Sequence, residues 1–383
     1  MHLLIHVLFL LFVVLSSLYF IYIIIHLISW ALLPVSKTDG AIIPETKITV
    51  VIAARNEEAT ISKCLESILK QDYPADLLQI IVVDDHSTDK TKEVAEKLLA
   101  ESDKNYRCIS NREKSHGKKT AISEAIKNSS GELIVITDAD CTSPATWLSS
   151  IENEYRTSGA FMVCGPVQIS NEKGLIGKFQ SLELCGLSLL SGAGIKAGLP
   201  LLCNGANIAY TKKVFDDVEG FHGIDKNPSG DDILLMFKIH SRFPGKITYL
   251  KSRNAIVSTA AQNSLKDFIL QRIRWASKGL YSKNKANSFV SLLVFGSNFI
   301  SLPILIFVLI KMKFFPVVMG CFAAKFLADF LLLFFGTQFF RKKNLLIIFP
   351  IAEIITLLYM SWIGIVANFS SYKWKDRHYK RLA

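Results

Sequence analysis

The chain has 383 residues, half of them hydrophobic, with 20% charged residues and a formal net charge of +11. A mean hydropathy of +0.32 is high for a soluble protein, and this composition excludes a collagen-like, disordered or disulfide-stapled secreted chain. Seven cysteines, an odd number with no C-x-x-C spacing, suggest neither a zinc knuckle nor a redox pair and fit a reducing compartment.

Residues 1–36 carry no Lys, Arg, Asp or Glu. This run lacks the basic start of a signal peptide and ends at Trp30-Ala31-Leu32-Leu33-Pro34 without a small-residue cleavage site. At about 1.5 Å per residue it exceeds the ~30 Å of a hydrocarbon core, so it is expected to be a retained transmembrane anchor.

A polar middle, residues 45–285, follows with the rhythm strand, helix, strand. Ile48–Ala54 is a β-branched run of the kind buried in a parallel sheet. A helix is expected over Glu57–Lys70, a strand over Gln79–Val83 that stops at Asp84-Asp85, and a helix from Thr88 to Ala100. The next clear strand is Leu133–Ile136, ending at Thr137-Asp138-Ala139-Asp140. Alternating β and α units predict an α/β fold with an open, mostly parallel sheet and helices on both faces.

Ligands in such sheets bind beyond the carboxyl ends of the strands, which is where Asp84, Asp85, Asp138 and Asp140 stand. Asp at a strand end is also ordinary turn and cap chemistry, but two acidic strand ends in one sheet favour a polar site. Ala54-Arg55-Asn56-Glu57 occupies the place of a G-x-G-x-x-G loop, which disfavours NAD. Carboxylates two residues apart at a strand end can hold a hard divalent ion and leave positions for phosphate oxygens. Lys118, in the basic stretch Ser115–Lys119, either adds charge near a diphosphate or belongs to a solvated loop.

Further on, Ser229-Gly230-Asp231-Asp232 leads into an apolar run, placing two acids at the start of an expected helix. Gln271-Arg272-Ile273-Arg274-Trp275 lies in a helical stretch near 264–282, where Gln271, Arg274 and Trp275 share a face by their spacing. A juxtamembrane Arg and Trp can also simply anchor at the interface. Three candidate spans occupy 287–369: Asn287–Ile310, Phe314–Phe340 and Asn344–Phe369. Lys325 and Asp329 sit four apart and can neutralise each other, whereas Glu353 has no local partner. Residues 370–383 form a basic tail suited to an anionic membrane surface rather than nucleic acid. If 45–285 is cytosolic, three further crossings put that tail outside, against the positive-inside rule, so one apolar segment is expected to be re-entrant or interfacial.

Together these residues resemble the membrane-bound family 2 glycosyltransferases, the group of cellulose, hyaluronan and poly-N-acetylglucosamine synthases and ceramide glucosyltransferase. The resemblance rests on Asp84-Asp85, Asp138-Ala139-Asp140, Asp231-Asp232 and Gln271–Trp275 in that order, with Val51–Glu58 similar to the family's first strand and turn. It spans about Ile48 to Leu280 plus the flanking apolar segments. It implies a GT-A fold and inverting transfer from a nucleotide-diphosphate sugar, usually a UDP-sugar. Ala54, Asn56, Glu57, Asp84, Asp85, Lys118, Asp138, Gln271, Arg274 and Trp275 would then contact the nucleotide-sugar. Asp138 and Asp140 would hold Mg²⁺ or Mn²⁺, and Asp232, beside Asp231, would be the general base. Asn204, Gly205 and Trp275 would stand on the acceptor side, and Leu175–Leu190, with Glu183, would be an interfacial helix near the acceptor entrance. Transfer to a lipid acceptor is favoured over a processive synthase, since the long synthases have more membrane spans. The reading from another class is a non-enzymatic membrane transporter or scaffold, which leaves the order of the acids unexplained. The expected location is a cell membrane, multi-pass, with the catalytic domain in the cytosol.

Overall fold

The computed structural model describes residues 2–36, 43–111, 117–225, 229–280, 284–312, 314–367, 372–374 and 377–379. In chain order the first half contains α1 (His2–Leu32), β1 (Ile48–Ala54), α2 (Ile61–Leu69), β2 (Leu78–Asp84), α3 (Thr91–Ala100), β3 (Asn105–Ser110), α4 (Lys118–Lys127), β4 (Leu133–Asp138) and α5 (Trp147–Ser158). Then come β5 (Met162–Cys164), β6 (Val167–Ile169), α6 (Gly174–Lys196), β7 (Ile208–Thr211), α7 (Lys212–Asp217), α8 (Ile233–Arg242), β8 (Ile247–Tyr249), β9 (Val257–Thr259) and α9 (Leu265–Leu280). The last part is α10 (Lys285–Lys311), α11 (Phe315–Phe339), a 3-10 turn over Lys343–Ile348, α12 (Phe349–Val366) and the hairpin β10 (Tyr372–Trp374) and β11 (Arg377–Tyr379).

Among the described residues, seven strands form one sheet in the order β3-β2-β1-β4-β7-β5-β8, in which β7 alone runs against its neighbours. Strand side chains alternate between faces. Val51, Ile81, Val83, Ile134 and Ile136 therefore join the core under α4 and α8, while Ile48, Val50, Ile52, Ile80 and Val82 join the core under α2, α3 and α5. The first of these cores continues into Tyr19, Ile23 and Trp30 of α1, so the sheet and the anchor share one interior.

Several elements differ from the expectations. The helix expected over Glu57–Lys70 begins at Ile61, because the Glu57 carbonyl takes the Thr60 and Ile61 amides in a turn. The helix expected from Thr88 begins at Thr91, whose amide and hydroxyl are held by the Asp89 carboxylate. Asp and Thr side chains compete here for backbone groups that a helix would use. Asp84 and Asp138 end their strands instead of following them. β3, a half-exposed edge strand with few apolar residues, carries no clear strand pattern in the sequence. Lys118 and Lys119 open α4 and do not lie in a loop, while Ser115 and His116 fall outside the described residues.

The helix expected at the interface over Leu175–Leu190 is α6. It runs to Lys196 and is largely buried, packed against α1, α11 and the sheet. Small residues allow this close approach: Gly192 leaves room for Trp30 and Tyr249, and Gly336 of α11 lies against the Cys185 carbonyl.

Among the described residues, four helical segments are long and apolar enough to cross a membrane. Within them, Lys325 pairs with Asp329 at 2.7 Å and with Glu353, and the Tyr19 hydroxyl donates to Asp329 at 2.6 Å. Glu353 thus has a partner 28 residues away, beyond the reach of local spacing. Clamps join the soluble domain to the helix ends. Lys251 donates to the Trp30 and Leu33 carbonyls at 2.6 and 3.0 Å, and Lys342 pairs with Glu172.

Candidate active site

Register places the acids on one edge. Ala54 pairs with Asp84, Ala53 with Asp138, and Asp84 with Ser110, so the four parallel strands β1, β2, β3 and β4 end level with one another. Because β7 is reversed, its first residue, Ile208, lies beside Ile136 and Cys164, and the Asn204–Asn207 turn arrives at the same edge. Asn207 locks that turn. Its amide group donates to the Pro166 and Ala255 carbonyls at 2.9 and 2.8 Å and its oxygen accepts from Trp147 Nε1 at 2.9 Å.

One half of the edge is a floor made by two loops. Asp85, 3% exposed, accepts from Asn111 at 3.0 Å and from the Gly117 amide at 3.3 Å, while its own amide donates to the Ala54 carbonyl. Asp84 accepts from the Ser87 amide. Asn56 stands at φ +50° and takes the Thr88 amide at 2.9 Å, and the Glu57 amide donates to Thr91. Arg55 donates to the Asp85 carbonyl at 2.8 Å, tying the two loops together. Asn56 and Asp85 are therefore held rigidly, and Asn111 is a participant that no motif marked.

The other half is an ionic cluster. Lys118 Nζ lies 2.6 Å from Asp138 Oδ1 and 3.2 Å from Asp231 Oδ2. Burial alone would lower its pKa, but Asp138, Asp231 and Asp232 outweigh that and hold the ammonium well above its ordinary range. Burial would likewise raise Asp138, yet Lys118 and the Arg274 guanidinium more than compensate and hold its carboxyl low. Asp232, 5% exposed, caps α8 through Ile233 at 2.8 Å and accepts the Gly205 amide at 3.1 Å. A Cβ on Gly205 would stand 3.4 Å from both Lys118 and Asp232, so the turn before β7 walls the cluster. The structure thus brings together Lys118, Asp138, Asp231, Asp232, Gly205 and Arg274. Gln271 and Trp275, on the same helix as Arg274, turn instead to Arg272.

Asp138, Asp140 and Cys141 can each bring a ligand atom within 4.8 Å of the others. The two carboxylates are hard oxygen donors of the sort Mg²⁺ and Mn²⁺ take. Cys141 fits less well: burial, then the charges of Asp140 and Asp138, push its thiol up and keep it protonated. A separate groove lined by Glu45, Lys47, Glu132, Lys212 and Asp216 lies at the opposite edge, where β1 and β4 begin, and shares none of these residues.

Residues 49–218 match the family model described as glycosyl transferase family 2. A beta-monoglucosyldiacylglycerol synthase of Synechocystis sp. is 29% identical over 132 residues, 34% of this chain and 28% of that protein. A poly-beta-1,6-N-acetyl-D-glucosamine synthase of Staphylococcus epidermidis is 26% identical over 234 residues, 61% of this chain and 54% of that one. The chain spans about half the length, or less, of these relatives. Among solved structures, the mannosyltransferase PcManGT from Pyrobaculum calidifontis, in complex with GDP-Man and Mn²⁺, superposes with a TM-score of 0.58 at 18% identity, covering 92% of this chain and 99% of that one. That likeness is one of fold.

Proposed function

We propose that this chain, whose residues 49–218 match the glycosyl transferase family 2 model on a GT-A-like fold flanked by candidate membrane helices, is an inverting transferase that moves a sugar from a nucleotide-diphosphate sugar to a membrane-associated acceptor. The supporting observation is the single cluster in which Lys118 bridges Asp138 and Asp231, with Asp232 alongside. The floor of Asp84, Asp85, Ala54, Asn56 and Glu57 would receive the base and ribose. Asp138 and Asp140 would hold Mg²⁺ or Mn²⁺, whose charge would offset that of the departing diphosphate. Lys118 and Arg274 bring cationic groups to the same place, stabilising negative charge as it develops. Asp232 accepts the proton of the acceptor hydroxyl as that oxygen attacks the anomeric carbon and the bond to the diphosphate breaks. Trp275, Asn204 and Gly205 face the acceptor in this reading. Gln271, a nucleotide-sugar contact in the expected set, accepts a hydrogen bond from Arg272, and its role is separate from that of Asn204 and Gly205.

The family resemblance favours a UDP-sugar donor, and a lipid acceptor is favoured because α9, which carries Arg274 and Trp275, is followed in sequence by the first C-terminal apolar helix, α10. The soluble domain would face the cytosol, where nucleotide sugars are made. Three helices, α1, α10 and α11, would cross, whereas α12 would turn back within the membrane: Tyr359 reaches Glu183, and β10 packs beside α9. This keeps the basic tail and Lys342 on the catalytic side, as the positive-inside rule requires.

The test is a panel of UDP- and GDP-sugars with the protein in nanodiscs, reading nucleotide release with and without added lipid extract. A glycolipid product supports the reading, and a product that lengthens with time would make the protein a processive synthase. Absence of release with every donor would leave a non-enzymatic membrane role.

A further inference from the structure

We propose that Arg272, locked by Glu183 and Tyr359, is a positioning residue that fixes the Trp275 indole and so couples membrane segment α12 to use of the acceptor. The inference rests on the glycosyltransferase reading. Arg272 occupies an unspecified position of Q-x-x-R-W, and its spacing gave it no role.

Its surroundings do. Arg272 is 6% exposed although it lies where the soluble domain meets the membrane helices. Its Nε donates to Glu183 Oε2 at 2.8 Å, and a second guanidinium nitrogen reaches the same oxygen. The Tyr359 hydroxyl donates to the other oxygen, Glu183 Oε1. A further nitrogen donates to Gln271 Oε1. The guanidinium carbon stands 4.5 Å from the Phe268 ring centre and 4.2 Å from that of Trp275. Phe179 and Phe268 pack around Tyr359 with centroids 5.8 and 5.9 Å away.

An arginine that only anchors a helix at an interface keeps its tip in water along an apolar stem. Here the tip points inward and donates to Glu183 from α6 and Gln271 from α9, while Tyr359 from α12 holds the other oxygen of Glu183. A paired charge in an aromatic box cannot lose its partner without a large penalty, so the pair sets the rotation of α9 about its axis. The indole rests on a flat cation whose place is set partly by α12. A shift of α12 therefore reaches Trp275 without passing through the aspartates.

Full-length Tyr359→Phe and Arg272→Lys proteins in nanodiscs test this, since both keep most of the side-chain bulk. Acrylamide quenching of Trp275 is isolated as the difference from a Trp275→Phe counterpart of each. Quenching should increase in both, and more for Arg272→Lys, because an ammonium reproduces neither the fork nor the stack. With UDP-glucose and UDP-N-acetylglucosamine as donors and lipid extract in the discs, Tyr359→Phe should lower transfer about tenfold, the factor for one hydrogen bond to a charged group. Donor hydrolysis and UDP binding should stay at wild-type levels. Unchanged quenching, or an equal fall in hydrolysis and transfer, overturns the proposal. If the wild-type protein turned over neither donor nor any other in the panel, the transferase reading would fall, and quenching alone would decide the positioning role.

Discussion

Asp140 and Asp232 share one edge of the sheet but are expected to fail differently when changed. Asp140 is exposed and can place an oxygen within 4.8 Å of a ligand atom of Asp138. Asp140→Asn removes the charge a hard cation needs, so Mn²⁺-dependent UDP binding should weaken while metal-independent binding stays. Titration of UDP with and without Mn²⁺ checks this, and equal metal dependence in the folded variant would remove Asp140 from the metal site. Asp232 is buried and caps α8. Asparagine is also a good cap, so Asp232→Asn should fold and bind donor normally yet lose about 10²–10⁴-fold in transfer, the usual contribution of a general base. Near wild-type transfer would move the role to Asp231, which shares Lys118 with Asp138.

Among the elements, α6 and α11 carry the joint between the sheet domain and the long apolar helices. A Cβ at Gly336 would come 2.8 Å from the Cys185 carbonyl, and backbone cannot yield as a flexible side chain can. Gly336→Ala should destabilise the protein by about 1–3 kcal/mol, the range for overpacking. Gly320 is a control on the same helix, because nothing lies within 4 Å of its Cβ position. Gly320→Ala should be neutral or slightly stabilising, since alanine is the better helix former. Thermal unfolding in detergent separates the two, and equal melting temperatures would show that α6 and α11 do not depend on this approach. Both positions look alike as glycines in apolar helices. Only packing distinguishes them.

At the scale of the whole molecule, charge and topology make one expectation. Lys342 pairs with Glu172 of the sheet domain, and β10 lies beside α9, so Lys342 and β10 stand on the side of the sheet domain. A reporter fused after Ala383 should be accessible from the catalytic-domain side of sealed vesicles and protected from the other. Protection on the catalytic side would mean that α12 crosses fully and would place the tail outside.

Much of this was legible in one dimension. The charge-free opening, the later apolar runs and the β-branched strands are local patterns, and local patterns follow from hydrophobic burial at a helical or strand period. They marked the division into membrane and soluble parts, the parallel sheet and the acids at its carboxyl ends. Nothing local could say what would neutralise those acids, because ion pairs form between residues distant in sequence. Lys118 meets Asp231, Lys325 meets Glu353, and Tyr359 meets Glu183 across 176 residues. Helix starts shifted for a related reason: Asp89 and the Glu57 carbonyl took amides that periodicity had assigned to helices. The burial of α6 also arose only in three dimensions, since an apolar helix with small residues suits a membrane surface and a helix interface equally until its neighbours pack against it.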